Sequence, residues 1–124
     1  MAHILIVDDD QVVGETFARM LTLSGYRVTT VQSVDAALVA TAEQAPDALI
    51  LDMRMPVVTG LDFLRQLRRD SRLREVPVAI VTGDYFLDEP LLAEMRALGA
   101  TVRYKPLWMD DLSALAQSLL TRAS

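Results

Sequence analysis

The chain has 124 residues with 17 acidic and 12 basic side chains, a net charge of −5, a single histidine and no cysteine. The acid excess argues against a nucleic-acid surface, and the missing thiols exclude disulfides, thiolate zinc sites and thiol nucleophiles, while His3 alone cannot build a histidine metal cluster and reads as a surface bystander. No apolar run approaches the roughly 18 residues of a membrane span, and residues 1–7 lead straight into three aspartates instead of a signal-peptide pattern, so the expectation is one cytoplasmic globular domain over 1–124.

Residues 4–7, a run of Ile, Leu and Val, read as a buried strand that stops at Asp8, Asp9 and Asp10. Three adjacent acids repel one another, and at the end of a buried strand they make a negative site that a divalent cation relieves. Val13, Phe17, Met20 and Leu21 follow at helical spacing, and the helix closes near Ser24 and Gly25. Residues 26–31 read as a second strand, and Ser33 as the N-cap of a helix to about residue 45, with Val34, Ala37, Leu38 and Thr41 inward. Residues 48–51 are apolar without alternation and deliver Asp52 to the end of a strand buried on both faces. Thr59 and Gly60 open a helix with Leu61, Leu64 and Leu67 inward and Arg65, Arg68 and Arg69 outward as a solvated face. Residues 76–82 form the next buried strand and end in the Thr82 hydroxyl. Asp88 or Glu89 followed by Pro90 is a helix-start signature, with Leu91, Met95 and Leu98 as the inward stripe and Gly99 as the stop. Residues 101–105 form the last strand, which ends in Lys105, and Leu112, Leu115, Ala116, Leu119 and Leu120 mark the final helix.

Five alternating strand and helix pairs imply an α/β fold, a doubly wound parallel sheet with helices on both faces. Its C-terminal edge, where open α/β sheets bind ligands, then collects Asp8, Asp9, Asp52, Thr82 and Lys105. Carboxylates with one Lys and one hydroxyl are a poor acid–base set at neutral pH. They suit phosphoryl acceptance: the carboxylates bind Mg²⁺ and leave room for phosphate, Lys105 supplies positive charge, Thr82 donates a hydrogen bond, and Asp52 is the natural nucleophile.

These residues resemble the receiver domain of two-component response regulators along the whole chain. The motifs are Asp8-Asp9 after the first strand, Leu51-Asp52-Met53-Arg54-Met55-Pro56 with Gly60 following, Val81-Thr82-Gly83, and Lys105-Pro106. The resemblance implies a flavodoxin-like sheet of order 2-1-3-4-5. It implies that a sensor histidine kinase or a phosphotransfer protein donates a phosphoryl group to Asp52. Mg²⁺ would be held by Asp8, Asp9, Asp52 and the backbone carbonyl of Arg54, and the Lys105–Pro106 bond would be cis. Receivers commonly carry Tyr or Phe three residues before the Lys; here Val102 stands there, and Tyr104, on the same strand face, is the candidate replacement for the switch aromatic. The face of the fourth helix, fifth strand and fifth helix would be the output surface and a possible homodimer interface.

Three other functions match part of this pattern. A haloacid dehalogenase-type phosphatase needs a second Asp two positions after the nucleophile, where this chain has Arg54. A flavodoxin-like flavin carrier needs a phosphate cradle in the first loop, which Asp8, Asp9 and Asp10 would repel. A receiver-like interaction module independent of phosphorylation usually lacks one of the acids, the Thr or the Lys, all of which are present.

Overall fold

The computed structural model describes residues 1–53, 59–84 and 87–122. In chain order it forms β1 (His3–Val7), α1 (Gln11–Leu23), β2 (Arg27–Val31), α2 (Val34–Glu43), β3 (Ala48–Asp52), α3 (Gly60–Arg69), β4 (Val78–Thr82), α4 (Glu89–Ala97), β5 (Ala100–Tyr104) and α5 (Met109–Arg122). The strands make one parallel sheet of order β2-β1-β3-β4-β5, the order expected. Every residue of β1, β3 and β4 is buried, as their unbroken apolar runs require of central parallel strands covered on both sides. The edge strands β2 and β5 carry mixed burial and a more polar sequence.

Strand alternation divides the core in two. Leu5, Val7, Leu49, Leu51, Val78 and Ile80 face α2, α3 and α4. Ile4, Ile6, Ala48, Ile50, Ala79 and Val81 face α1 and α5. Thr82 continues the first of these rows and Asp52 the second, so the two end up on opposite sides of neighbouring strands at the same edge.

Local signals set the helix ends. Asp10 is the N-cap of α1, accepting from the Val12 and Val13 amides. Ser33 caps α2, Thr59 and Asp62 form a capping box on α3, and Asp88 caps α4. Gly25 and Gly99 adopt φ of 98° and 83°, the left-handed turn that ends α1 and α4.

Several sequence expectations are corrected. The second helix stops at Glu43 because Gln44 is already extended ahead of Pro46. β2 begins at Arg27, β4 at Val78, and β5 runs one residue earlier than expected, leaving Lys105 just past its end. Leu38 is 40% exposed, and the inner face of α2 is Val34, Ala37 and Thr41. Phe63, not singled out in the sequence, is wholly buried. His3 is no bystander: it is buried in β1, its ring Nε2 pairs with the Thr29 hydroxyl at 2.8 Å, and its amide donates to Asp47 Oδ2 at 2.7 Å. Arg65 and Arg68 are not a free solvated face, since both are half-buried and bonded to other elements, and only Arg69 of the three stands exposed. Among the described residues no helix is long and apolar enough to cross a membrane.

Candidate functional site

The end of β1 delivers Asp8 and Asp9, the end of β3 delivers Asp52, the end of β4 delivers Thr82, and the residue after β5 is Lys105. All five meet at the C-terminal edge of the sheet because the strands are parallel and in register, with Val7 beside Leu51 and Asp52 beside Val81. Asp8 and Asp52 are buried, while Asp9 faces solvent. One carboxylate oxygen from each of the three lies within 4.8 Å of the others.

Asp8 is fixed at both oxygens. Oδ1 accepts from the Asp10 amide at 2.9 Å, and Oδ2 accepts from Lys105 Nζ at 3.0 Å. The same ammonium is 3.8 Å from Asp52 Oδ1, so one lysine bridges two buried carboxylates. Buried charges persist only when paired, and among the described residues this cluster sets three carboxylates, two of them buried, around the Lys105 ammonium. The clustered carboxylates, an all-oxygen donor set, match a small hard cation. Opposite ligands of Mg²⁺ stand about 4 Å apart, twice its bond length, so the observed spread closes on such an ion with small side-chain movements.

The β4 and β5 ends are tied together by the Lys105 amide, which donates to the Thr82 carbonyl at 2.8 Å. That bond sets the root of the lysine beside the Thr82 strand end. The Lys105–Pro106 peptide is cis, as expected. Thr82 is wholly buried, and its Oγ1 accepts from the Asp84 amide at 3.1 Å, which leaves the hydroxyl proton available as a donor. In the β4–β5 register Val102 sits beside Ile80 and Tyr104 beside Thr82. Val102 packs against the α2, α3 and α4 core, and Tyr104 is half-buried. Arg54 lies outside the described residues, as do Met55 and Pro56 of the same motif.

Two residues that shape the site carry roles the sequence did not disclose. Asp10 is continuous in sequence with the acidic cluster, but its carboxylate caps α1 and its amide orients Asp8. Gly60 donates its amide to the Met53 carbonyl at 3.0 Å and so seats the start of α3 on the chain just past Asp52.

A family model for the response regulator receiver domain matches residues 4–116. The response regulator MprA of Mycobacterium sp. (strain KMS) is 36% identical over 122 residues, covering 98% of this chain and 52% of that protein. The chain thus spans about half the length of the curated relatives it matches. Among solved structures, chemotaxis protein CheY4 of Vibrio cholerae superposes with a TM-score of 0.88 at 30% identity, covering 97% of this chain and 99% of that one. The signal receiver domain of a signal transduction histidine kinase from Syntrophus aciditrophicus gives 0.86 at 27% identity, over 98% and 91% of the two chains. The family match, the relatives and the fold agree, and the phosphorylation-independent alternative is not favoured: this chain belongs to the response regulator receiver domains, the phosphoacceptor modules of two-component signal transduction.

Proposed function

We propose that Asp52 is the phosphoacceptor of a receiver unit spanning 1–124, and that a sensor histidine kinase or a phosphotransfer protein is the donor. An Asp52 carboxylate oxygen attacks the phosphorus of a phosphohistidine, the P–N bond breaks, and the imidazole leaves with its electron pair, giving an aspartyl phosphate. Asp9 and Asp52 would hold Mg²⁺ directly, with Asp8 and the Arg54 carbonyl completing the protein's contribution. When bound, the cation offsets the charge that gathers on the transferring phosphoryl oxygens. Lys105 and the Thr82 hydroxyl would then contact those oxygens, Lys105 turning from its Asp8 partner toward the new anion. The chain acts on itself and turns over no separate substrate in this reading. The fourth helix, fifth strand and fifth helix would form the output face and a possible homodimer contact.

The observation that carries this reading is the single ammonium of Lys105 placed 3.0 Å from Asp8 and 3.8 Å from Asp52, with the Asp9 carboxylate alongside. The test is labelling by a small phosphodonor such as acetyl phosphate, with and without Mg²⁺. The wild type takes up one phosphoryl group per chain only when Mg²⁺ is present, and Asp52→Asn takes up none. Full labelling of Asp52→Asn, or labelling that survives a chelator, overturns the assignment.

A further inference from the structure

Two arginines one helical turn apart on α3 grip α4. Arg68 donates from Nε to the Leu98 carbonyl at 2.7 Å, and its Nη1 donates to the Arg74 and Val76 carbonyls at 3.0 and 2.8 Å. The C-terminal end of α4 is thereby fixed to the chain entering β4. Arg65 binds farther along α4, presenting Nε and Nη2 to the two oxygens of Glu94 at 2.5 and 2.7 Å, a parallel two-bond contact. The two grips differ in kind. Arg68 holds backbone carbonyls, whereas Arg65 and Glu94 are side chains 38% and 40% exposed, so water can replace their bond.

The Arg65 grip leads back toward Asp52. Its Nη1 donates to Asp62 Oδ1 at 3.0 Å, and Asp62 is the capping-box partner of Thr59 at the start of α3. The next residue, Gly60, is seated on the backbone of Asp52 and Met53. At its other end α4 follows the turn in which Thr82 Oγ1 accepts from the Asp84 amide. A Thr82 hydroxyl group that rotates toward a phosphoryl group on Asp52 gives up that bond, and the change is passed to the chain that leads into α4. Leu92 and Met95 hold α4 in the core and Arg68 holds its C-terminal end at Leu98, so the exposed Arg65–Glu94 pair is the tie to α3 that water can replace when the helix shifts.

We propose that Arg65 is a positioning residue whose grip on Glu94 latches α4 to α3 in the unmodified protein, and that the latch opens when α4 responds to phosphorylation, a reading that rests on Asp52 as the phosphoacceptor. Arg68 at Leu98 is the pivot and Arg65 at Glu94 the latch. The hydrogen bond from Arg65 holds the Glu94 carboxyl below the usual carboxylate range, so the latch is charged on both sides at neutral pH. A latch that favours the resting conformation also lowers the fraction of molecules ready for phosphorylation, so its removal raises the labelling rate.

The test uses the whole chain as Glu94→Gln, which keeps shape and removes charge, and as the charge swap Arg65→Glu with Glu94→Arg. Amide hydrogen exchange of α4 is measured without phosphodonor, and Asp52 labelling by acetyl phosphate is timed at saturating Mg²⁺. An exposed ion pair shifts such an equilibrium by about twofold to fivefold. The expected result for Glu94→Gln is a rise of that size in both α4 exchange and labelling rate, with the swap returning both toward wild type. Faster exchange with an unchanged labelling rate makes the pair structural only and overturns the latch, as does a swap that restores neither. If the wild type itself is not labelled, the phosphoacceptor reading fails first and takes the latch with it, a result the wild-type control separates from the others.

Discussion

A Cβ built on Gly60 would stand 2.5 Å from the carbonyl oxygen of Asp52 and 3.1 Å from the Met53 Cα. The first residue of α3 therefore touches the backbone of the strand that presents Asp52, and no side chain fits between them. Gly60→Ala should accordingly lower stability by about 1–3 kcal/mol, as overpacking against rigid backbone does. Helix propensity pulls the other way by at most about 1 kcal/mol, so the sign of the change decides which effect wins. Urea unfolding measures it, and a Gly60→Ala protein more stable than wild type would show that α3 is not seated on Asp52. The same displacement should weaken Mg²⁺ binding, read from a titration of the folded variant.

Lys105 and a divalent cation would compete for the same carboxylates. Replacing Lys105 by Ala removes a positive charge from beside the carboxylates that would hold the cation, a repulsion against a double charge of about 1 kcal/mol at ~8 Å even at the dielectric of water. Mg²⁺ should therefore bind roughly fivefold more tightly to Lys105→Ala. The phosphoryl group would lose its Lys contact, so acetyl phosphate should still label Asp52 but without the conformational change that labelling brings in the wild type. Loss of Mg²⁺ binding in this variant would contradict the role given to the lysine.

Arg68 is the second arginine whose removal should be felt. Truncation to Ala leaves the carbonyls of Leu98, Arg74 and Val76 without their charged donor, at a cost of about 2–3 kcal/mol. Lys cannot replace it, because one ammonium does not reach three carbonyls that a planar guanidinium spans. Chemical denaturation of Arg68→Ala, Arg68→Lys and Arg69→Ala separates the cases: the first two should be destabilised and Arg69→Ala should be close to wild type.

That contrast also marks how far the sequence could be read. The order of strands and helices and the chemistry at the strand ends were legible because each rests on a local pattern. Unbroken apolar runs gave β1, β3 and β4, and caps such as Ser33 and Asp88 sit a few residues from what they cap. Arg65, Arg68 and Arg69 look alike by helical phase, yet the partners of the first two come from residues up to 30 positions away, which no local pattern reports. The role of His3 is hidden from the sequence for the same reason, since its partners Thr29 and Asp47 arrive on β2 and ahead of β3. The clash that forbids a side chain at Gly60 is likewise a tertiary fact, although the glycine itself stood out in the motif.

His3 gives a prediction about pH. Burial first, and then the Arg27 charge, push its imidazole below the ordinary value of 6.5, with Asp47 opposing them, and its Nδ1 has no hydrogen-bond partner among the described residues. The folded protein thus resists a proton that the unfolded chain accepts near pH 6.5. Between that value and the lower folded one the unfolded state binds more protons, so the contribution of a neutral His3 is complete above pH 6.5 and is lost as the pH falls below it. The urea midpoint of the wild type should drop between about pH 7.5 and pH 5.5, and His3→Gln, which keeps a hydrogen-bonding group toward Thr29, should lose part of that drop. Identical pH profiles for the two proteins would show that His3 titrates alike in both states.

The last prediction concerns how phosphorylation leaves the site. Tyr104 lies beside Thr82 in the β4–β5 register, on strands about 4.8 Å apart, and strand alternation puts it on the face it shares with Val102. That is the face covered by α4, because Val102 packs into the α2, α3 and α4 core. Val102 has a single stiff χ1 and no hydroxyl, so it cannot report a rotation of Thr82 by a large rotamer change of its own. Tyr104 has the reach to do so, and at half burial it has room to move between core and solvent. Tyr104→Ala should therefore take up phosphoryl at Asp52 as the wild type does but lose most of its phosphorylation-dependent dimerisation or partner binding, whereas Val102→Ala should keep both. Labelling stoichiometry checks the first half, and sedimentation with and without phosphodonor checks the second. A Tyr104→Ala protein that still answers phosphorylation as the wild type does would send the signal through the chain between Thr82 and α4 instead, with the Arg65–Glu94 latch as the element it has to release.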